Sequence, residues 1–216
     1  MLNQDSKILV AGSKGMVGSA VVRKLKQKGY TNILEISRSQ IDFLNQKDVK
    51  NLLTNERPDF MIIAAARVGG INANNNFRAQ FIYENLIISA NLIHSAHIAD
   101  IQNIIYLGSS CIYPKECLQP IKEDYLLNGP LEKTNEPYAI AKIASLKLCE
   151  SYNFQYKRNY TTVMPTNLYG PKDNYHPQNS HVMASLIRKF LIAKLQNMPS
   201  VTCWGSGAVS REFMHV

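Results

Sequence analysis

The stretch KILVAGSKGMVGSAVVRKLKQKG, residues 7–29, decides the fold. An apolar, β-rich segment leads through Gly12, Gly15 and Gly18 into an amphipathic helical pattern. Glycine lets the backbone turn tightly and approach a pyrophosphate, whose charge is stabilised by amides at a helix N-terminus. The glycines could serve close helix packing alone, but their place between the first strand and its helix favours a dinucleotide-binding βαβ unit.

Strands and helices alternate along the rest of the chain. We predict strands at 7–12, 32–37, 59–66, 103–110, 160–168 and 201–205, and helices at 16–29, 46–56, 79–99, 137–156 and 180–197. Continuous apolar strands separated by helices predict the α/β class, with a doubly wound parallel sheet covered on both faces. Ligands of such sheets bind at the carboxyl ends of the strands.

Composition and charge narrow the class of ligand. The chain has 216 residues, a formal charge of +8 and 45% apolar residues, which is typical of a folded globular protein. The charge suits a nucleotide diphosphate or a nucleic acid. The densest basic group, within residues 23–28, falls on the solvated face of a predicted helix, and the sequence has no zinc-finger pattern or basic arm. We therefore expect an anionic small-molecule ligand and no nucleic acid.

The cysteines and the N-terminus indicate the compartment. Cys111, Cys117, Cys149 and Cys203 form no CxxC pair and no cluster with zinc spacing, so no metal site is predicted. The N-terminus has no hydrophobic region of the signal-peptide kind, and the apolar runs are too short to cross a bilayer. We expect a cytoplasmic protein with free thiols and no membrane contact.

The end of the second predicted strand discriminates between cofactors. An acidic residue there binds the ribose hydroxyls of NAD, whereas an arginine accommodates the 2′-phosphate of NADP. This chain carries Ser37 and Arg38 at that place, and Lys14 in the glycine loop adds a second positive charge. Both cations could be ordinary surface residues, but their joint placement favours NADP(H).

The segment YAIAK places Tyr138 and Lys142 four residues apart, about 6 Å between their stems on one helix face. A free tyrosine has a pKa of about 10, and a nearby ammonium should lower that pKa and can also bind the cofactor ribose. Ser109, at the end of the fourth strand, supplies a hydroxyl donor for a substrate oxygen. Tyr138 would exchange a proton with that oxygen while a nicotinamide exchanges hydride with its carbon.

Cys111 stands two residues after Ser109, in the segment GSSCIYP. A thiol at the end of a strand could be a packing residue, a metal ligand, a redox switch or a proton-transfer group. The residues around it leave these four interpretations open.

Five segments together resemble one family. They are AAARVGGI, LGSSCIYP, TNEPYAIAKIASLKLCESYN, VMPTNLYGPKDNYHPQNSHV and WGSG followed by REFMHV. They resemble the GDP-L-fucose synthases, extended short-chain dehydrogenase/reductases with a Rossmann fold, in which the GxxGxxG spacing is common. The resemblance implies 3,5-epimerisation of GDP-4-keto-6-deoxy-D-mannose, reduction at C4 by NADPH, and a homodimer.

Carried over by position, the resemblance implies catalytic roles for Ser109, Cys111, Tyr138, Lys142 and His181. It implies substrate contacts from Lys189, Trp204 and Arg211, where Lys189 replaces an expected arginine and loses the bidentate grip on phosphate. The implied cofactor contacts come from the glycine loop, the end of the second strand, the end of the fourth strand, the Tyr–Lys helix and two later segments: Gly12, Ser13, Lys14, Gly15, Met16, Val17, Gly18, Arg38, Ser39, Gln40, Ile41, Asp42, Phe43, Leu107, Gly108, Ser109, Ser110, Lys142, Pro165, Thr166, Asn167, Leu168 and His181.

The implied chemistry gives Cys111 a role. The protons on C3 and C5 are acidified by the C4 ketone, and Ser109 and Tyr138 can stabilise the enolate that forms when one is removed. Inversion then needs a base and an acid on opposite sides of the ring, or one group and a ring flip. A thiol and an imidazole titrate close enough to neutrality for this exchange, with Cys111 as base and His181 as acid. A buried packing role for Cys111 and a surface role for His181 are the alternatives.

Members of that family continue well past REFMHV. The resemblance therefore implies an NADP-binding domain over residues 1–175 and only the start of the sugar-nucleotide lobe over 176–216, with most of the lobe missing. One rival function is that of an NAD-dependent 4-epimerase or 4,6-dehydratase; a dehydratase would carry Asp-Glu where Cys111 and Ile112 stand. The other is a truncated, inactive nucleotide-binding module, against which the intact Ser109, Tyr138 and Lys142 argue.

The remaining polar residues receive weaker assignments. We interpret Cys117, Cys149 and Cys203 as packing residues, and His94 and His97 as structural. Asn85 and Asn91, in the long predicted helix, could order the active site or lie on the helix surface.

Overall fold

A computed structural model describes residues 2–216, and its main sheet has five parallel strands. They lie in the order β2-β1-β3-β4-β5. The strands are β1 (Ile8–Ala11), β2 (Ile33–Ile36), β3 (Phe60–Ile63), β4 (Asn103–Leu107) and β5 (Asn159–Val163). The predicted doubly wound α/β sheet is confirmed, and the chain order reverses between β1 and β3.

Six α-helices accompany the strands within residues 2–216. They are α1 (Met16–Gln27), α2 (Gln46–Glu56), α3 (Ile71–Asn76), α4 (Arg78–Ile98), α5 (Glu136–Tyr156) and α6 (Val182–Leu195). The bounds of α2 are those predicted, because Asn45 caps its first turn by accepting from the amides of Lys47 and Asp48. Pro58 follows its last residue closely and does not extend the helix.

The core lies on both faces of the sheet. β1 is buried at every position, since it pairs with a strand on each side and helices cover it. One cluster joins Leu9, Met61 and Ile104 to Leu92 of α4, and the other joins Ile8 and Val10 to Val22 of α1. Helices on both faces hold the carboxyl ends of the strands at one edge, where ligands of this fold bind.

Two strand predictions fail after residue 163, whereas the predicted helix at 180–197 is present as α6. The predicted fifth strand at 160–168 is interrupted around Pro165, which has no amide hydrogen for the ladder, and residues 167–169 form β6 (Asn167–Tyr169). The predicted strand at 201–205 is wrong. The chain is irregular there, and β6 pairs instead with β7 (Phe213–His215) in a separate two-stranded parallel sheet.

The proposed boundary at residue 175 separates β6 from β7, its pairing partner, and the domain division stays a prediction. Within residues 2–216, no helix is long and apolar enough to cross a membrane. Over the same range, no group of three or more His, Cys, Asp or Glu side chains is arranged to hold a metal ion.

Candidate active site

The glycine loop between β1 and α1 is shaped by two glycines. Gly12 has φ +86°, and a Cβ there would lie 2.8 Å from the amide nitrogen of Ala65, after β3. A Cβ on Gly18 would lie 2.1 Å from the carbonyl oxygen of Gly12. The amide of Gly12 also donates to the carbonyl of Ile36, at 2.8 Å. The loop is therefore clamped among β2, β3 and α1, with no room for side chains at Gly12 or Gly18.

The N-terminus of α1 has the character of an anion site. Gly15 is the N-cap and supplies no side chain to satisfy the first amides of the helix, and the first turn has no acidic residue. The hydroxyl of Ser13 is buried and has no hydrogen-bond partner among the described residues. These donors fit the pyrophosphate of a dinucleotide.

Two cations lie beside the glycine loop. Lys14 donates from Nζ to Oγ of Ser39 at 3.2 Å, and the side chain of Arg38 is 71% exposed. The hydroxyl of Ser37 donates to Oε1 of Gln40 at 2.8 Å, which closes the turn after β2. Both cations lie at the end of β2, where they could meet a 2′-phosphate.

The rest of the predicted cofactor stretch at 38–43 is less available. Phe43 is buried in the main core, and Ile41 packs against that core. Oδ1 of Asp42 accepts from the amide of Leu44 at 3.1 Å. The side chain of Phe43 therefore packs, which leaves its backbone amide for a ligand.

Asn85 of α4 holds the loop that follows β3. Its Oδ1 accepts from the amide of Arg67 at 2.9 Å, and its Nδ2 donates to the carbonyl of Arg67 at 3.0 Å. Asn91 is also buried and donates to the carbonyl of Phe43 at 2.9 Å. The helix-surface interpretation of both asparagines is wrong, because each satisfies buried backbone groups.

Lys142 is buried beneath the predicted catalytic tyrosine. The residue is 3% exposed, and its Nζ donates to the carbonyl of Leu107, the last residue of β4, at 2.6 Å. The same nitrogen lies 4.6 Å from the ring centroid of Tyr106 and 5.7 Å from that of Tyr138. The YAIAK segment therefore brings its cation to the carboxyl end of β4 and close to the ring of Tyr138.

The pKa of Tyr138 differs from the prediction. Burial raises the pKa of the phenol to about 12, although the charge of Lys142 and a hydrogen bond with Ser109 both act to lower it. The prediction of a lowered pKa was wrong because sequence spacing reveals the neighbouring cation but not the desolvation around the ring. The phenol keeps its proton at neutral pH.

Ser109 and Cys111 meet in the short 3-10 turn after β4. Oγ of Ser109 lies 2.7 Å from Sγ of Cys111 and also accepts weakly from the amide of Cys111 at 3.4 Å. The thiol thus lies beside a hydroxyl that is close enough to Tyr138 to act on the pKa of its phenol. Burial raises the pKa of Cys111, while the hydrogen bond with Ser109 opposes the rise.

His181 is the N-cap residue of α6. The segment before it packs against the loop after β3, since the amide of Gly70 donates to the carbonyl of Asn179 at 3.0 Å. A Cβ on Gly70 would lie 2.2 Å from the carbonyl oxygen of Ser180. Burial lowers the pKa of His181, and Asp173 opposes that shift. No hydrogen bond among residues 2–216 joins His181 to Cys111, so their pairing stays a prediction.

The predicted substrate residues are only partly assembled. Nζ of Lys189 donates to the carbonyl of Thr202 at 3.2 Å and lies 5.6 Å from the ring centroid of Trp204. Trp204 is 80% exposed. Arg211 is exposed and donates only to the neighbouring carbonyl of Ser210 within the described chain. Lys189 and Trp204 therefore meet, and no hydrogen bond among residues 2–216 joins Arg211 to that pair.

The later cofactor segment is tied to the chain before β7. Oγ1 of Thr166 and Nδ2 of Asn167 both donate to the carbonyl of Glu212, each at 2.9 Å. Pro165 and Leu168 flank these contacts, and Leu168 pairs with Met214 of β7. The segment 165–168 is thereby held in a defined position after β5.

The other cysteines and histidines divide between core and surface. Cys149 is buried, and burial raises its pKa to about 12, while Cys117 packs on a smaller core cluster. Cys203 is exposed, so its interpretation as a packing residue is wrong. His94 and His97 both pack against Tyr152, and Nδ1 of His94 lies 2.6 Å from the Tyr152 hydroxyl.

Comparison with known proteins identifies the family. The family model described as the NAD dependent epimerase/dehydratase family matches residues 8–216. The chain is 54% identical over 210 residues to the GDP-L-fucose synthase of Escherichia coli K12, covering 97% of this chain and 65% of that protein. It is 50% identical to GDP-L-fucose synthase 1 of Arabidopsis thaliana, covering 100% of this chain and 67% of that protein.

A solved structure is similar throughout the described fold. The GDP-mannoheptose C4 reductase MlghC from Campylobacter jejuni, solved with NADP bound, superposes with a TM-score of 0.91 at 38% identity, over 100% of this chain and 70% of that one. The chain thus spans about two thirds of the length of the relatives it matches. The chain belongs to the NAD dependent epimerase/dehydratase family, and its resemblance to the GDP-L-fucose synthases is confirmed.

Proposed function

We propose that the protein catalyses the NADPH-dependent 3,5-epimerisation and 4-reduction of GDP-4-keto-6-deoxy-D-mannose to GDP-L-fucose. The observation that carries the proposal is the convergence of Ser109, Cys111 and Tyr138 at the carboxyl end of β4. Reduction needs a proton donor at the C4 oxygen, and epimerisation needs a proton-transfer group at the flanking carbons. The closeness of these side chains supports a single site that would serve both steps.

The cofactor proposed is NADP(H). The glycine loop, the buried hydroxyl of Ser13 and the uncapped N-terminus of α1 fit a pyrophosphate, and Lys14 and Arg38 fit a 2′-phosphate. The related C. jejuni reductase is described as having NADP bound. When bound, the cofactor supplies a hydride for the C4 carbon.

Tyr138 is the proposed proton donor for reduction. Its raised pKa keeps the phenol protonated at neutral pH, which is the form that donation requires. When the proton moves to the C4 oxygen, the buried ammonium of Lys142 stabilises the phenolate that remains. Ser109 donates to the same substrate oxygen and stabilises negative charge on it in the enolate of the epimerisation.

Cys111 and His181 are the proposed proton-transfer pair for epimerisation. Burial opposes charge on both groups: it raises the pKa of Cys111 and lowers the pKa of His181. A neutral thiol and a neutral imidazole are therefore favoured. A base role for Cys111 therefore requires loss of its proton before each abstraction, and an acid role for His181 requires that the imidazole first gain one. Before the abstraction, the adjacent Ser109 hydroxyl supports the thiolate by donating to it. Once Cys111 has taken up the proton, the single O–H of Ser109 can turn to the enolate oxygen.

Lys189, Trp204 and Arg211 are proposed to bind the GDP moiety. Lys189 and Arg211 carry positive charge that suits a diphosphate, and the exposed indole of Trp204 offers a face for a planar ring or sugar. Lys189 provides a point charge rather than a planar fork, so its grip on phosphate is less directional than that of an arginine.

We further propose a cytoplasmic homodimer. Apolar side chains of α4 and α5 remain exposed although the two helices pack together, notably Tyr83 and Ile98 of α4 and Ile140 of α5. An exposed apolar surface of this kind suits burial against a second copy. The free cysteines agree with a reducing compartment.

The proposal is tested by incubating the chain with GDP-4-keto-6-deoxy-D-mannose and NADPH in D₂O and following the sugar by NMR. The expected product is GDP-L-fucose with deuterium at C3 and C5 and one NADPH oxidised per sugar. Reduction without deuterium would indicate a plain 4-reductase instead. Binding of NADPH with neither reaction would favour a nucleotide-binding module.

A further inference from the structure

Glu84 of α4 lies between two arginines behind the predicted cofactor site. Its Oε1 is 2.6 Å from Nη1 of Arg67, and its Oε2 is 4.0 Å from Nη1 of Arg38. The side chain is 12% exposed, and Oε2 is buried without a hydrogen-bond partner in the described chain. One carboxylate oxygen is therefore satisfied and the other is not.

The two arginines differ in how firmly they are held. Asn85 fixes the backbone of Arg67 on both sides, and the Arg67 guanidinium carbon lies 5.8 Å and 5.4 Å from the ring centroids of Phe77 and Phe81. Arg38 follows β2, and its side chain is mostly exposed. Arg67 is thus a fixed cation, and Arg38 is a cation whose position depends on what it meets.

Both arginines line one cavity of about 330 Å³. Its other walls come from Ala66 and Val68 after β3, from the phenylalanines beside Arg67, and from the loop before α6 through Asn174 and Asn179. The cavity opens beside the end of β2, where a 2′-phosphate would lie. Glu84 is behind this lining, so it acts on a ligand through the arginines.

A buried carboxylate oxygen without a donor is costly, and Arg38 is the cation placed to satisfy it. A guanidinium has five N–H donors in a planar fork, so one edge can bind Glu84 while another binds a phosphate. An exposed arginine otherwise loses side-chain freedom when it binds a ligand. A partner that fixes Arg38 beforehand removes part of that cost.

We propose that Glu84 is a positioning residue that orients Arg38 toward the 2′-phosphate of the cofactor and so sets the preference for NADP(H) over NAD(H). The inference rests on the cofactor assigned in the proposed function. Arg67 neutralises the charge of Glu84, so that a phosphate held by Arg38 meets an attractive rather than a repulsive environment.

The test uses 2′,5′-ADP and 5′-AMP as probes, because they differ only in the 2′-phosphate. Calorimetric titration of the full chain compares wild type, Glu84→Gln, Arg38→Ala and the double variant. Glu84→Gln should weaken 2′,5′-ADP binding by about two- to tenfold and leave 5′-AMP binding unchanged. In the Arg38→Ala background the same change should have no further effect. Glu56→Gln, which removes a carboxylate paired with Lys7, is the matched control.

The outcomes separate the two proposals. A wild type that binds the two probes equally would overturn the NADP(H) assignment. A wild type that prefers 2′,5′-ADP, with Glu84→Gln binding it as tightly or more tightly, would overturn the role of Glu84 alone. If Glu84→Gln does not fold, as judged by lost 5′-AMP binding, Glu84→Asp keeps the charge and shortens the reach to Arg38. It should reduce the preference for 2′,5′-ADP, and an unchanged preference would contradict the role.

Discussion

The hydroxyl oxygen of Ser109 lies 2.7 Å from the sulfur of Cys111, at the carboxyl end of β4. The same hydroxyl also acts to lower the pKa of the Tyr138 phenol, against the larger effect of burial. Ser109 therefore connects the residue proposed to donate a proton in reduction with the residue proposed to move protons in epimerisation. Because Cys111 and Tyr138 are proposed to carry different proton transfers, replacing either one should remove its own reaction and leave the other.

Replacing Cys111 tests the epimerisation. Cys111→Ser should slow deuterium incorporation at C3 and C5 of the keto sugar by about 10²–10⁴-fold, because a hydroxyl is a far weaker acid than a thiol and does not form its anion near neutral pH. NADPH binding should be unchanged. Cys203→Ser, at an exposed thiol, is the control. Wild-type exchange in Cys111→Ser would remove this residue from the mechanism.

Replacing Tyr138 tests the reduction. Tyr138→Phe should lower NADPH oxidation with a pre-epimerised substrate by at least about 10²-fold, since the ring stays and the proton donor is lost. In wild type, Tyr138 stays protonated below its pKa of about 12, so this residue should cause no fall in reduction rate as the pH rises through neutrality. Full reduction by Tyr138→Phe, measured at 340 nm, would rule out the assigned donor.

The pH dependence of deuterium exchange decides which group is the base. Burial raises the pKa of Cys111 above its ordinary value, so the reactive thiolate fraction grows as the pH rises. With Cys111 as base, the exchange rate should climb continuously between about pH 6.5 and 9. A rate that is flat over this range would instead identify His181 as the base, because its lowered pKa leaves it already neutral there.

The glycine loop yields a prediction on stability. Gly18→Ala should reduce the free energy of unfolding by about 3 kcal/mol, because the added Cβ meets the Gly12 carbonyl oxygen at 2.1 Å. Gly15→Ala is the matched change, since its Cβ would be 3.4 Å from the same oxygen and its φ is −71°. It should cost at most about 1 kcal/mol. Equal losses in urea denaturation would contradict the clamped loop.

Sequence patterns predicted the parts of the site that are formed by residues close together in the chain. The strand–glycine–helix pattern over 7–29 predicted the loop between β1 and α1. The four-residue spacing of Tyr138 and Lys142 predicted a cation close to the tyrosine. These features are encoded within single elements, where periodicity and turn chemistry act directly.

The structural features that could not be predicted from the sequence depend on contacts between residues far apart in the chain. The pairing of β6 with β7 joins segments far apart in the chain, and the high pKa of Tyr138 comes from burial by several elements. The bonds from Asn85 to Arg67 also need the folded loop after β3. Polar residues repeated along the apolar pattern of α4 were the one signal that could have indicated a buried role for Asn85 and Asn91.

Protection of the thiols by the cofactor most directly tests whether Cys111 shares a pocket with the nicotinamide. The chain would be alkylated with iodoacetamide in the presence and absence of NADP⁺, and each cysteine would be quantified by mass spectrometry. NADP⁺ should slow labelling of Cys111 and leave the exposed Cys203 unaffected. Equal labelling of Cys111 with and without saturating NADP⁺ would contradict the account.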